Sequence, residues 1–419
     1  MYDIIVVGGG AAGMTAAIQA KQTNNDINIL IIDKNKKLGK KLYATGNGKC
    51  NLANERLDLS SYYSANEFFP YEIVTTDGYL QVEKYMNNLG ISSYSDEGYI
   101  YPASLQASSV VWAMTDRIRL LGIERKLLEE VTLIEDISNR SECNNTAYRV
   151  HTDKGRYEAT CVIVAPGGAA APKLGGSTNS YNMLNKLNIN IIKPRPALVK
   201  LLCSDHINAL NGVRAKANVS LLCDNNLYDR ETGEVQFGEG YISGIAVFNL
   251  SIMCGVLLSE NKKPLIEIEL IPTMSYECCF DYLKEFVINN SDRSAEAMLN
   301  GLINEKIASY ITEKLCIQKQ RAGDLNEALL SDIAYLVKHL TFTITKTGTY
   351  DDSQATGGGV DTRQLRSDSL ETYGHKGLFI AGEYADVTGK CGGYNIMWAI
   401  LSGQKAGEAA GRRINNDKN

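Results

Sequence analysis

The opening stretch "DIIVVGGGAAGMTAA" (residues 3–17) decides the fold. Ile4 to Val7 are β-branched and apolar, which suits a buried strand, and Gly8, Gly10 and Gly13 follow in the spacing G-x-G-x-x-G. Met14 to Gln22 reads as a helix, and a second strand, Ile27 to Ile32, ends in Asp33, twenty residues beyond Gly13. A glycine triplet alone is a weak signal. Strand, glycines, helix, strand and acid in this order predict a dinucleotide site of Rossmann type. Gly8 permits the tight turn, Gly10 lets the backbone approach a pyrophosphate, and Gly13 lets the helix close on the strand, with Ala11 and Ala12 between them. The helix start offers unpaired N–H groups and a positive dipole end to phosphates. Asp33 would accept hydrogen bonds from ribose hydroxyls and disfavour a 2′-phosphate.

Further along, helices are expected at Gly78 to Leu89 and Ser108 to Leu121, and strands around Val131 to Ile134, Tyr148 to Thr152 and Arg156 to Val164. The last of these empties into Gly167-Gly168, where the chain can pass close to a ligand. Pro194 and Pro196 mark a change in kind. Leu198 to Cys203, Ala217 to Cys223, Leu227 to Arg230, Glu234 to Phe237 and Leu265 to Leu270 read as short strands, with "ETGE" (231–234) as a hairpin turn. The apolar run Tyr241 to Leu258 is broken by Ser243, Asn249 and Ser251 and reads as a buried helix, not a membrane span. Met274 to His339 is mostly helical in spacing. From Gly348 the character of the first domain returns, in "ATGGGV", the strand "GLFIAGE" and a final glycine-led helix.

Composition narrows the function. A net charge of −5 and only four histidines predict neither nucleic-acid binding nor a His-rich metal site. Ten cysteines without paired spacing, behind an N-terminus with no positive flank, suggest a reducing cytoplasm. Cys278 and Cys279 read as helix packing, and His151, His206, His339 and His375 as structural or exposed.

Two glycine-rich runs share Gly-Lys-Cys: "TGNGKCN" (45–51) and "TGKCGGYN" (388–395). Neither is a Walker phosphate loop, because Tyr43 and Tyr384 stand where the first glycine belongs and Cys50 and Cys391 replace the Ser or Thr. Neither is a zinc half-site, since Cys50 and Cys391 have no nearby His or Cys. They are expected to be walls of one pocket: Thr45, Gly46, Asn47, Gly48, Lys49, Cys50 and Asn51 as an extended loop, and Gly392, Gly393, Tyr394, Asn395 and Ile396 as a helix N-terminus. Lys49 has an alternative reading as a solvated cation and Tyr394 as core packing; the two cysteines read as small residues buried near the bound dinucleotide, with a redox-active pair as the alternative.

These motifs, with "EGYIYPAS", "VIVAPGGAAAPKLGGSTNSY", "PRPALVKL" and "GLFIAGEYADVTGKCGGYN", resemble the HI0933-like, or BaiN-type, NAD(P)/FAD-dependent oxidoreductases of the two-dinucleotide-binding-domain flavoproteins. The resemblance implies non-covalent FAD, with Asp33 and Lys34 near its adenosine end and the Val131 backbone at the adenine. It implies that Glu383 and Asp386, beside Gly382, contact the ribityl and pyrophosphate region, and that Lys41 or Lys49 faces phosphate or flavin oxygens. Asn47 and Asn395 are expected within contact of one isoalloxazine. The fold implied is α/β: a discontinuous Rossmann-like FAD-binding domain (1–195 and 346–419), an inserted barrel-like β domain (196–272 and 337–345) and a helical subdomain (273–336) roofing the flavin. The activity implied is hydride transfer between a small organic substrate and flavin N5, as an NAD(P)H-dependent reductase, with an amine oxidase using O2 or a non-catalytic flavoprotein, a redox sensor or RNA-associated factor, as alternatives. NAD(P)H would act as a transient reductant, since no second fingerprint marks a domain for it. A soluble monomer or weak homo-oligomer is expected, with neither membrane nor nucleic acid as partner. Two departures from the family pattern stand out: Asp33 in place of a longer Glu, and "VAPGG" (164–168), where Pro166 removes a backbone donor.

Overall fold

The computed structural model describes residues 1–138 and 147–418. They form two compact units, Met1–Pro196 with Ser353–Asn419, and Ala197–Asp352.

The first unit is built on a seven-stranded sheet. Tyr2–Val7 pairs in parallel with Ile29–Asp33 on one side and with Arg156–Val164 on the other. Glu124–Leu127 extends one edge, Leu378–Ile380 joins Arg156–Val164 in parallel, and Tyr148–Thr152 and Val131–Asp136 complete the sheet antiparallel. Ile4 to Val6, Leu30, Ile31 and Val162 to Val164 are fully buried, as continuous apolar strands covered on both faces should be. The expected α/β Rossmann-like class holds.

The first helix (Ala11–Thr23) is covered by the last (Tyr394–Lys418). Gly403, Gly407 and Gly411 recur every fourth residue and so share one helical face. A Cβ at these positions would stand 2.5, 2.2 and 2.9 Å from the carbonyl oxygens of Ala12, Ala16 and Ala20. The two backbones are therefore nearly in contact, a closeness only glycine against alanine allows.

The second unit is a closed six-stranded barrel with helices. Leu201–Cys203, Tyr241–Ser243, Asn226–Gly238, Arg214–Cys223, Leu265–Glu269 and Leu340–Thr347 follow one another around it, and the last returns to the first. Four helices between Tyr276 and Lys338 share its core.

Three details correct the sequence reading. "ETGE" is not a turn: Asn226–Gly238 is one continuous strand, and the hairpin reverses at Asp224-Asn225, both left-handed (φ 50° and 62°). Two consecutive left-handed residues make the tight turn whose twist suits a hairpin, so Gly233 stays extended opposite Ala217. Tyr241–Ser243 is a barrel strand, and the buried helix begins only at Ile245. Pro194 and Pro196 lie inside a strand, Ile191–Ala197, which among the described residues pairs only with Ala355–Val360. An edge position asks for no outward donor, so proline is tolerated.

Candidate functional site

The glycine loop sits against the end of a neighbouring strand. Gly8 has φ +97°, and a Cβ there would lie 2.3 Å from the Ala165 carbonyl oxygen; one at Gly13 would lie 1.9 Å from the Gly8 oxygen. Gly10 differs: its φ is −78°, and no atom lies within 4 Å of where its Cβ would be. The turn is thus closed on the protein side and open at Gly10, at the helix start beside Ala11 and Ala12.

Asp33 ends its strand with both oxygens engaged: Oδ2 accepts from the Gly9 N–H at 2.7 Å and Oδ1 from the Asn35 N–H at 2.6 Å. Its acceptors fix the glycine loop, and each oxygen keeps a further lone pair. Glu129 donates its N–H to the Asp33 carbonyl, which brings Val131 next to this corner. Lys34 pairs with Glu130 at 3.5 Å.

A residue the motifs did not single out joins the separate loops. The Thr356 hydroxyl accepts from the N–H groups of Ala169 and Ala170 at 2.8 and 2.9 Å. Its own N–H donates to Glu383 Oε1 at 2.9 Å, and its carbonyl accepts from the Thr388 hydroxyl at 3.0 Å. Thr356 therefore ties down Ala169 and Ala170, the residues that follow the "APGG" turn. Gly167 faces open space, whereas a Cβ on Gly168 would strike Thr356 Oγ1 at 2.3 Å. Lys41 holds Glu383 at 2.7 and 3.0 Å, so its charge is matched by a carboxylate. Gly382 is fixed from two sides: its N–H donates to Ser402 Oγ, and its carbonyl accepts from Trp398 Nε1, both at 3.0 Å. "ATGGGV" showed glycines, and the residue that organises the site is its one hydroxyl.

"TGNGKCN" is compact where an extended loop was expected. Leu42–Gly48 winds in short helical turns broken at Thr45, with Gly46 and Asn47 both left-handed. Its short residues allow local bonds: Thr45 Oγ1 donates to the Leu42 carbonyl at 2.7 Å, and Lys49 N–H and Cys50 N–H turn back on Gly46 and Thr45. Asn47 and Lys49 are exposed and Gly48 is half-buried. Asn51 points inward, and its Oδ1 is a buried acceptor with no hydrogen-bond partner among the described residues. A Cβ on Gly393 would lie 2.5 Å from that oxygen, so the two glycine-rich runs meet here.

The second run is a helix start. Gly392 and Gly393 have φ +115° and +98°, and Tyr394 opens the last helix. The first N–H groups of a helix, here Tyr394, Asn395 and Ile396, have no intrahelical acceptor. Asn395 spends its side chain on its own loop, accepting from the Gly389 N–H at 2.9 Å and donating to the Gly389 carbonyl at 2.7 Å. Tyr394 is buried in the core, with its hydroxyl on the Arg56 carbonyl.

Asp386 is fully buried; Oδ2 accepts from the Ala65 N–H at 2.8 Å, and Oδ1 makes no hydrogen bond of normal geometry among the described residues. Burial holds its carboxyl above the ordinary value, opposed by the Ala65 N–H and the Arg195 guanidinium.

Burial also pushes the Cys50 thiol up to about 11, against a smaller lowering by Thr45. It stays protonated at neutral pH, a poor nucleophile for disulfide exchange. Native protein at pH 8 should therefore label at Cys50 at least tenfold more slowly than the same protein in denaturant; equal rates, read by mass spectrometry with iodoacetamide, would contradict this. Among the described residues no group of three or more His, Cys, Asp and Glu is placed to hold a metal. No helix among them is long and apolar enough to cross a membrane. His151, His339 and His375 pair with Glu135, Glu267 and Asp136.

The model of the HI0933-like protein Rossmann domain matches residues 2–409. The 3-dehydro-bile acid delta(4,6)-reductase of Clostridium scindens is 32% identical over 416 residues, 99% of this chain and all of that one. The ribosomal RNA dihydrouridine synthase of Haemophilus influenzae is 26% identical, covering 95% of this chain and 96% of its own. Among solved structures, a quinol–fumarate reductase with menaquinol molecules shares the fold at 13% identity and TM-score 0.50, over all of this chain and 72% of its own. By the family match over nearly its whole length and by this identity, the chain belongs to the HI0933-like family.

Proposed function

We propose that the protein is an FAD-dependent oxidoreductase that reduces a C=C bond conjugated to a carbonyl in a small organic substrate, taking hydride from NADH or NADPH. One juxtaposition carries this reading: an open helix start at Gly10, and, in the same unit, the Asn51 Oδ1, without a hydrogen-bond partner among the described residues, beside the Gly393 helix start. The first suits a pyrophosphate. The second offers a buried acceptor to a ring N–H and a positive helix end to the electron-rich edge beside it, as an isoalloxazine requires. FAD therefore fits the residues present.

Bound FAD supplies two-electron chemistry, accepting hydride from one partner and giving it to another. The chain does the rest. Gly8, Gly10, Ala11, Ala12 and Gly13 hold the phosphates, and Asp33 takes a ribose hydroxyl on its spare lone pairs, with Val131 at the adenine. Glu383, fixed by Lys41 and Thr356, is placed for the ribityl chain, and Gly167, Gly168, Gly392 and Gly393 keep the backbone close. Lys34, Asn47, Lys49 and the Asn395 side chain are the weakest members of the set, being turned to Glu130, to solvent or to Gly389.

Both relatives bear names that denote adding hydrogen across a ring C=C bond, in a bile acid in one and in a ribosomal RNA base in the other. The small-molecule reading is preferred, because a chain of net charge −5 does not collect a polyanion. It acts in the cytoplasm, as a monomer or weak homo-oligomer. Anaerobic mixing with NADH or NADPH should bleach the flavin within seconds, and a conjugated enone should restore the colour. Bleaching by an amine alone, with peroxide on re-aeration, would replace the reductase by an oxidase; colour restored only by ribosomal RNA would favour the second relative's chemistry.

A further inference from the structure

Arg195 lies on the strand Ile191–Ala197, which pairs with Ala355–Val360. Its side chain runs flat along Gly357, where a Cβ would stand 3.3 Å from its Cγ and Nε. The guanidinium carbon is 5.5 Å from the centroid of the Tyr63 ring. Tyr63 in turn pairs with Thr388, whose hydroxyl bonds the Thr356 carbonyl. Arg195 therefore abuts the point where the glycine-rich loops are tied together.

It is built in without being used up. Its Nε is buried and has no hydrogen-bond partner among the described residues. Tyr63 meets the guanidinium through the face of its own ring and accepts no hydrogen bond from it, so the N–H groups stay free to donate. Asp386 feels its charge without a hydrogen bond to it, having turned Oδ2 to Ala65. A guanidinium is charged at every working pH, and one that only stabilised the fold would be expected to satisfy Nε internally.

We propose that Arg195 anchors a carboxylate of the substrate, which makes the substrate class an organic acid carrying the reducible C=C bond. The inference rests on the reductase reading above. Nε with one Nη forms a two-donor edge that matches the two oxygens of a carboxylate. An RNA backbone would call for several cations, and this is one, in a chain of net charge −5.

Calorimetric titration of the purified protein with crotonate, cinnamate and a 3-oxo-4-ene bile acid, each beside its neutral amide, tests this. At least one acid should bind tenfold or more tightly than its amide. In Arg195→Met that preference should fall below threefold, with flavin content and thermal midpoint unchanged, and Arg195→Lys should keep part of it. No acid-over-amide preference in the wild type overturns the proposal, as does the same preference in Arg195→Met. Should the Met variant not fold, Arg195→Gln and the wild-type comparison still decide. Calorimetry needs no flavin, so a colourless protein that cannot be reconstituted would sink the FAD reading while the acid-to-amide ratio still judges Arg195.

Discussion

Replacing Gly407 with valine should cost the protein roughly 3 kcal/mol of stability and push much of it into the insoluble fraction. A Cβ at 407 has the Ala16 carbonyl oxygen at 2.2 Å and the Ala16 carbonyl carbon and Cα at 2.9 Å, all backbone and none able to rotate aside. The last helix would have to lift from the first along its length. Alanine substitutions should grade the effect as 407, then 403, then 411, following contact distances of 2.2, 2.5 and 2.9 Å. At 411 a helix-propensity gain of up to about 1 kcal/mol offsets the clash. Urea midpoints of the three alanine variants and Gly407→Val would show the order; equal midpoints would mean that the helices slide apart at little cost.

Gly10→Asp should do the opposite, leaving the fold intact and removing the cofactor. The backbone there is ordinary, and the new Cβ meets nothing within 4 Å. A carboxylate near a helix start is itself mildly favourable. Against a pyrophosphate it sets negative charge on negative charge and fills the space, for a loss of FAD affinity on the order of 100-fold. The variant should purify colourless, with an unfolding midpoint within about 1 kcal/mol of flavin-free wild type. A yellow Gly10→Asp protein would move the phosphates away from this helix.

Much of the fold was legible because its signals are local. Ile4 to Val7 and Gly8 to Gly13 state strand, turn and helix start in ten residues, and the strands at Tyr148 and Arg156 are apolar where they are buried. What was illegible depends on partners distant in sequence. Pro194 and Pro196 read as punctuation, since nothing local says that their strand has a free edge. "ETGE" and Asp224-Asn225 are both turn-like, and only the register against Arg214–Cys223 chooses between them. In the site, the glycines announced themselves, whereas Thr356 and Arg195 matter for what they meet across the sheet. Asn395 was read as facing a ligand, but Gly389 lies only six residues away and claims its amide first.

The pairing of first helix with last also sets a schedule for synthesis. Ala12, Ala16 and Ala20 leave the ribosome long before Gly403, Gly407 and Gly411, which cover them. At cellular elongation rates of about 5–20 residues per second, roughly 20 to 80 s separate the two. Ala197–Asp352 is continuous in sequence and can complete its own barrel during that wait, while the dinucleotide fold stays open until the final two dozen residues arrive. A nascent chain truncated before Tyr394 should therefore hold a folded insert and an N-terminal half still dependent on chaperones.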